Sequence, residues 1–514
     1  MRFALALVSF ASIIATGAAF PVSFVNGTVT TPLGTVTGTA TIPGVFRFVF
    51  RYAQAARWRP ATAVTTLQSM SALPPVCPQE ILDTGGQWTG NEDCLFAVLY
   101  VPANFNGSTI VWFHGGSLLV GGANDPAIDG SSLALATNSM VAVVQYRLGV
   151  LGFLPPPPNN NLGVRDAILA LNLLHTILPS FGGSSQTVTV AGQSAGGMLI
   201  RAIIASPSAS SLFSKIILHS DTLNYGFYNA STLTTLQNNF FPTLNCTATD
   251  ATCQNAASLA DIMEAQMDFS PADFDPSTAG PIMFRPVHDG SLITTTLTSS
   301  FPSSLKPLLL TTANDEGAAL IFGGIDFVVP SFAYEAVLDS VIPDFRADAV
   351  LNSSFYQLDS SDPDSVRDEL KDIVTDLGWR CPDWTFVKAW AARGGSVFTG
   401  LFLRGGLHSS NINIAFCNSS ETHVCHTDDV PILFGTQASP SAAQSALITE
   451  VQARWNNFVH SSTPNPPTLP TWTATTSSSV NVFPLGGSGP IAAGACAGFW
   501  GTPTAPFDYQ MFGL

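Results

Sequence analysis

The pentapeptide Gly192-Gln193-Ser194-Ala195-Gly196 has the form G-x-S-x-G. Small residues on both sides let the chain turn sharply and leave the serine hydroxyl exposed. Such a hydroxyl is suited to attack a carbonyl carbon, given a base for its proton and donors for the negative oxygen that forms. The pattern alone is weak, because Gly and Ser are common, but its flanks strengthen it. Thr187-Val188-Thr189-Val190 reads as a buried strand before it, and Met198 to Ala205 reads as a helix after it, ended by Ser206-Pro207. A serine at a strand-to-helix turn is the nucleophile-elbow arrangement, and the helix N-terminus favours developing negative charge.

Donors for that charge are sought after a second strand. Ile110-Val111-Trp112-Phe113 reads as buried strand, and His114-Gly115-Gly116-Ser117 follows it. Glycines let backbone N–H groups approach a reacting carbonyl with no side chain between. The N–H groups of Gly115, Gly116 or Ser117, with that of Ala195, are therefore the candidate oxyanion donors. His114 reads as a residue that holds this loop.

The elements that must position these groups alternate. Val141 to Val144 reads as a further buried strand. Asp166 to Leu178 reads as a helix with Ile168, Leu171 and Leu174 on one face, stopped by Pro179. Val451 to Val459 reads as a late helix closed off by Ser461-Ser462-Thr463-Pro464, and Pro155 to Pro158 reads as a surface loop. Short strands alternating with helices predict an α/β protein with a large, mostly parallel central sheet flanked by helices; with the serine elbow, this resembles the α/β-hydrolase fold. In that fold the triad runs Ser, acid, His along the chain. Leu308-Leu309-Leu310 is a strand candidate, and either Asp315 or Glu316 in the following Asn314-Asp315-Glu316-Gly317 could orient an imidazole. The order leaves His408, His423, His426 and His460 as candidate bases; His460, at a helix end, is expected on the surface. His426 follows Cys425, and a Cys417–Cys425 disulfide would brace its loop, as accurate placement of a base requires.

The whole chain bounds the reading. Of 514 residues, 46% are hydrophobic and 11% charged, enough to bury a large core. With 19 Lys+Arg against 35 Asp+Glu, the formal charge is −16, which excludes the basic density a nucleic-acid partner needs. Met1-Arg2-Phe3, the apolar run Ala4 to Ala15 and the small residues Thr16 to Ala19 read as a secretory signal peptide over residues 1–19. Residues 20–514 then form a single domain, with no other stretch read as long and uniform enough to cross a bilayer. Secretion turns the eight cysteines towards disulfides: Cys77 with Cys94, Cys246 with Cys253, Cys417 with Cys425, and Cys381 with Cys496 as the long-range pair. No CxxC pair or zinc-spaced His cluster is present, so neither metal nor cofactor is expected. Glycosylation acceptors of the form Asn-x-Ser/Thr stand at Asn26, Asn106, Asn229, Asn245, Asn352 and Asn418.

Read together, these segments resemble the type-B carboxylesterase/lipase family, which contains cholinesterases and secreted fungal lipases. The resemblance runs in family order from about Val29 to Phe458. It rests on Arg51-Tyr52-Ala53 with Arg57-Trp58, on Glu92-Asp93-Cys94-Leu95, and on Tyr146-Arg147-Leu148-Gly149 with Gly152-Phe153. Phe181-Gly182-Gly183, the elbow, Asn314 to Gly317, and Cys425-His426 with Asp429, Phe434 and Gly435 complete it. It implies that Glu316 rather than Asp315 is the acid, and that the second and third loop positions join Ala195 as oxyanion donors. It implies a secreted serine carboxylic ester hydrolase that cleaves small-molecule or lipid esters through an acyl-serine intermediate, without metal or cofactor. Ser117 and Thr427 stand where the family has glycine, and Ser220-Asp221 replaces serine-glycine. Ser184, Ala167 and Asp429 replace an acid, a glutamine and a glutamate. Two alternatives accompany this reading. A lipase would act at an oil–water surface, but Cys77 and Cys94 enclose a short loop where the family's lipases carry a lid, which leans towards an esterase. A non-catalytic cholinesterase-like binding protein would have lost the nucleophile or base, whereas Ser194, Glu316 and His426 are all present.

Overall fold

Strands without a polar face need cover on both sides, and the fold supplies it. The computed structural model describes residues 27–82, 86–278, 280–342 and 344–500. Residues 1–19, expected to be a signal peptide, and Asn26 lie outside them. The main sheet contains β1 (Thr39–Ala40), β2 (Val45–Arg51), β3 (Phe96–Pro102), β4 (Thr109–Phe113), β5 (Met140–Val144), β6 (Val188–Gln193), β7 (Lys215–His219), β8 (Leu308–Ala313), β9 (Val397–Phe402) and β10 (Val482–Leu485). Their spatial order is β10-β9-β8-β7-β6-β4-β5-β3-β2-β1, and Ser69–Met70 pairs with β2 as the eleventh strand. The run from β5 through β4 to β10 is parallel; β3, β2 and β1 join antiparallel.

Alternation along each strand divides the core in two. Val111 and Phe113 of β4 join a cluster with Phe48, Val190 and Leu218, whereas Ile110 and Trp112 join Val49, Ala191 and Ile217 on the other face. The first face is covered by α1 (Leu162–Ile177) and α2 (Ala195–Ile204), which bring Leu171, Leu174, Leu199 and Ile203. The second is covered by α3 (Ala442–Ser461), whose Leu447, Val451, Trp455 and Phe458 recur at helical spacing. Between β8 and β9 the chain builds a third apolar cluster around Leu338, Leu370 and Ile373, to which the Cys381–Cys496 disulfide is tied. All four cysteine pairs form as expected.

Several limits differ from the expectations. α1 starts four residues before Asp166, directly after Asn161, whose left-handed backbone (φ 52°) breaks the chain while its side chain bonds Val287 at both ends. α2 starts at Ala195 because Ser194 is itself the cap residue. α3 starts at Ala442, where Ser441 and Gln444 form a capping box, rather than near Val451. His460 is not a free surface residue: its ring bonds Asn106 and Ser108, each at 3.0 Å. Of the proline run, Pro155 and Pro156 are buried and only Pro157 and Pro158 are exposed. Among the described residues one helical stretch, Leu162–Phe181, is long and apolar enough to cross a membrane, contrary to the sequence reading. Its apolar positions are occupied by the first core face.

Candidate active site

Strand register brings the candidate loops together. Phe113 pairs with Gly192, so the loops that begin at His114 and Gln193 leave the sheet side by side. Gln193 pairs with His219, and His219 with Thr311 of β8. The chain passes from β4 to β5 on one side and returns to β6 on the other. The loops thus emerge at the carboxyl ends of parallel strands, at a reversal of strand order, where open α/β sheets bind ligands.

The serine is held in a strained turn. Ser194 has φ 56° and ψ −127°, a conformation sparsely used by residues with a side chain and stabilised only by its surroundings. Its N–H donates to His219 O at 2.9 Å, and its carbonyl accepts Gly197 N–H at 2.8 Å. Both flanking glycines are required by space. A Cβ on Gly196 would lie 2.1 Å from Phe113 O, and one on Gly192 would lie 2.8 Å from the same oxygen.

Carbonyls of the candidate oxyanion loop are taken up by protein donors. His114 O accepts from Tyr146 Oη at 2.6 Å, and Gly115 O from His114 Nδ1 at 2.9 Å. Gly116 O accepts the N–H groups of Leu119 and Val120, and Leu118 O that of Gly149. The N–H groups of Gly116, Ser117 and Ala195 meet no protein acceptor among the described residues. The buried His114 stacks on Tyr146, and burial lowers its pKa to about 4, so it holds the loop as a neutral ring. Ser117 keeps a glycine-like backbone, φ 56°, which costs a residue with a Cβ about 1–2 kcal/mol.

The structure separates Glu316 from Asp315. Glu316, fully buried, accepts His426 Nδ1 at 2.6 Å through one oxygen and Ala313 N–H at 2.6 Å through the other. Asp315 ties the two loops together instead: its carboxylate accepts Val424 N–H at 3.1 Å and pairs with Lys371 at 3.2 Å. The Cys417–Cys425 disulfide braces the base loop, and Asn411 Nδ2 donates to His426 O at 2.8 Å. Trp379 packs its ring 5.0 Å from that of His426. His426 Nε2 lies 3.2 Å from Nε2 of Gln193, the neighbour of Ser194; no hydrogen bond joins it to Ser194 Oγ in this arrangement. The remaining histidines are engaged elsewhere: His423 stacks on Phe416, and His408 pairs with Asp125.

Of the other contributors, only Asp221 and Asp429 carry a sequence signal, as departures from the family's pattern. Arg201 of α2 pairs with Asp221, a buried carboxylate directly under Gly197. Asp383 is fully buried near Asp221, Glu316 and Arg201, and neither of its oxygens has a hydrogen-bond partner among the described residues. Burial, then the charges of Asp221 and Glu316, hold its carboxyl well above the usual carboxylate range. His219 Nδ1 meets Asp429 Oδ2 at 2.6 Å behind Ser194, which gives the departure at Asp429 a partner. The two places where three potential metal-ligand atoms converge among the described residues both contain disulfide sulfurs, which offer no thiolate. A surface cavity of about 850 Å³, lined by residues from Thr243 to Phe274, contains none of these groups.

The sequence profile of the Carboxylesterase family matches residues 26–491. The chain belongs to this family. Carboxylesterase 1D of Rattus norvegicus is 32% identical over 221 residues, covering 39% of this chain and 37% of that protein. Para-nitrobenzyl esterase of Bacillus subtilis (strain 168) is 36% identical over 211 residues, 37% of this chain and 43% of that one. The chain thus spans well under two thirds of these relatives. Pyrethroid hydrolase Ces2a of Mus musculus is 26% identical over 408 residues, 74% of this chain and 70% of that one. Two solved structures, of a PNB esterase and a thermophylic PNB esterase, superpose with TM-scores of 0.71 and 0.72, each at 24% identity and each covering 90% of this chain and 96% of the other. This family's fold is the α/β-hydrolase fold read from the sequence.

Proposed function

We propose that the protein is a secreted serine carboxylic ester hydrolase with Ser194, His426 and Glu316 as its triad. The observation that carries this is the 2.6 Å His426–Glu316 pair, set beside Gln193 at the strained elbow. In acylation Ser194 Oγ bonds to the ester carbonyl carbon, and its proton passes to His426 Nε2, which gives up its contact with Gln193. Glu316 stabilises the imidazolium that results. The negative oxygen is received by the N–H groups of Gly116, Ser117 and Ala195. The alcohol leaves with the proton from Nε2, and water then repeats the sequence to free the acid. A fluorophosphonate probe should label the wild type and p-nitrophenyl butyrate should be hydrolysed, both lost in Ser194→Ala. Equal labelling of the two proteins would sink the assignment.

Secretion rests on residues 1–19 and on the fully paired cysteines. The described acceptor asparagines Asn106, Asn229, Asn245, Asn352 and Asn418 are all exposed, as glycosylation requires. N-terminal sequencing of the exported protein and a mass shift on deglycosylation test both points. One observation favours a lipase as the second reading. Leu320, Phe327, Val328 and Phe332, shortly after Glu316 in the chain, are exposed, Phe332 to 88%. A jump in rate above the solubility limit of a triacylglycerol would select it.

A further inference from the structure

On the reading of Ser194 and His426 just given, the leaving oxygen must take its proton from His426 Nε2, so the alcohol departs beside that nitrogen. Gln193 lies 3.2 Å from it, and Thr427 is the next residue in the chain. Gln193 and Thr427 line a cavity of about 590 Å³ together with Gly115 and Gly116 of the oxyanion loop. The volume falls in the usual range of small-ligand sites, about 300–1,000 Å³. A group attached to the leaving oxygen has this space to occupy.

Hydrogen-bonding side chains form one part of the cavity's lining, beside the apolar Leu82, Val120, Ile128 and Val430. Asp125 and His408 face one another at 3.7 Å, and Asp125 Oδ1 is fixed by Ala127 N–H at 2.9 Å. His408 Nδ1 meets Ser410 Oγ at 2.8 Å, and Ser410 Oγ meets Thr427 Oγ1 at 3.3 Å. A chain of carboxylate, imidazole and two hydroxyls therefore runs along the wall to the residue after the base. It offers both donors and acceptors, which suits a group that itself both donates and accepts. An alkyl alcohol would strip water from these groups and return no hydrogen bond. A cationic alcohol would find the Asp125 charge already facing His408 and only Glu80 in addition.

We infer that the natural leaving group is a small hydroxyl-rich alcohol, a polyol or sugar, held along Asp125, His408 and Ser410. The test compares kcat/KM of the full-length protein for glycerol 1-monobutyrate and propyl butyrate, which share acyl group and three-carbon skeleton. The glycerol ester should be favoured about tenfold or more, the worth of one or two hydrogen bonds. Asp125→Ala and His408→Ala should each bring the ratio down towards one. A wild-type ratio of one or below overturns the inference, as does faster turnover of butyrylcholine than of the glycerol ester, which would select a cationic alcohol. Fluorophosphonate labelling of the same samples keeps the failures apart. Absence of labelling sinks the hydrolase reading itself; labelling without a preference sinks only this one. In the variants, labelling also reports that the site is folded.

Discussion

The two loops that face Ser194 are held by opposite chemistry. The base loop is held by charge and a covalent bond: Glu316 on His426, Asp315 with Lys371 on Val424, and the Cys417–Cys425 disulfide. The oxyanion loop is held by neutral groups alone. Gln79 grips Gly121 at both N–H (2.8 Å) and carbonyl (2.9 Å), Tyr146 takes His114 O, and His114 stays uncharged. On the roles proposed above, the difference follows from what each loop would have to do. A base becomes positive during the reaction, so a carboxylate frame stabilises it. Donors of an oxyanion hole must stay unpaired, so their frame has to bind carbonyls and leave the N–H groups free.

Breaking the charged frame has the largest expected effect. Glu316→Gln keeps the shape but removes the charge and disturbs the imidazole tautomer, so kcat should fall about 10³–10⁴-fold with KM little changed. Steady-state kinetics on p-nitrophenyl butyrate read this out. Asp315→Asn should act more weakly, since Asp315 touches the loop and not the ring. On the neutral side, Gly116→Ala places a Cβ 2.3 Å from Val120 O at a φ of 104°. The displaced donors should lower kcat by about 10²–10³-fold. A milder loss than this from both Glu316→Gln and Gly116→Ala would remove the contrast.

How much of this was legible in the sequence depends on the kind of signal. Ser194, the strand before it and the glycines around it were readable, because a tight strand-to-helix turn restricts residue types locally. The oxyanion loop was readable for the same reason. Choosing Glu316 over Asp315 needed the resemblance, since both are acids one residue apart and only packing turns one inward. The Arg201–Asp221 pair, Asp383 and the Asp125–His408 contact were not readable. Asp125 and His408 lie far apart in the chain, and neither Arg201 nor Asp383 carries a local pattern. Helix starts were missed where a cap such as Ser441 or a left-handed Asn161, and not the apolar rhythm, sets the boundary.

A smaller effect separates the frames by pH. Asp383 sits behind the charged side with its folded pKa raised, mainly by burial. A raised carboxyl contributes stability that is fully present below its unfolded value, near about 4, and is lost as pH rises through its folded value. The neighbours that set it are Asp221 on the β7 side, Glu316 after β8 and Arg201 on α2. Asp383→Asn should therefore be more stable than wild type at pH 7, by about 1–3 kcal/mol, with the difference shrinking towards pH 4. Chemical denaturation at both pH values checks this. A pH-independent difference would show that Asp383 matters through packing and not through its proton.

The smallest effects concern the two departures at glycine positions, one in each frame. Ser117 has φ 56° and Thr427 φ 80°. Both keep a backbone that glycine adopts without strain, so each stores about 1–2 kcal/mol of conformational cost. Glycine would relieve it but gives back about 0.5–1 kcal/mol through its freer unfolded chain. Ser117→Gly should thus stabilise by at most about 1.5 kcal/mol. Thr427→Gly should gain less, because Thr427 Oγ1 also meets Ser410 Oγ at 3.3 Å and Asn411 Nδ2 at 3.5 Å. Denaturant titrations of the two variants give the comparison directly. If Thr427→Gly destabilises while Ser117→Gly stabilises, side-chain bonding outweighs backbone strain in the charged loop alone. If both destabilise, the positive φ angles are set by the surrounding packing and not resisted by the side chains.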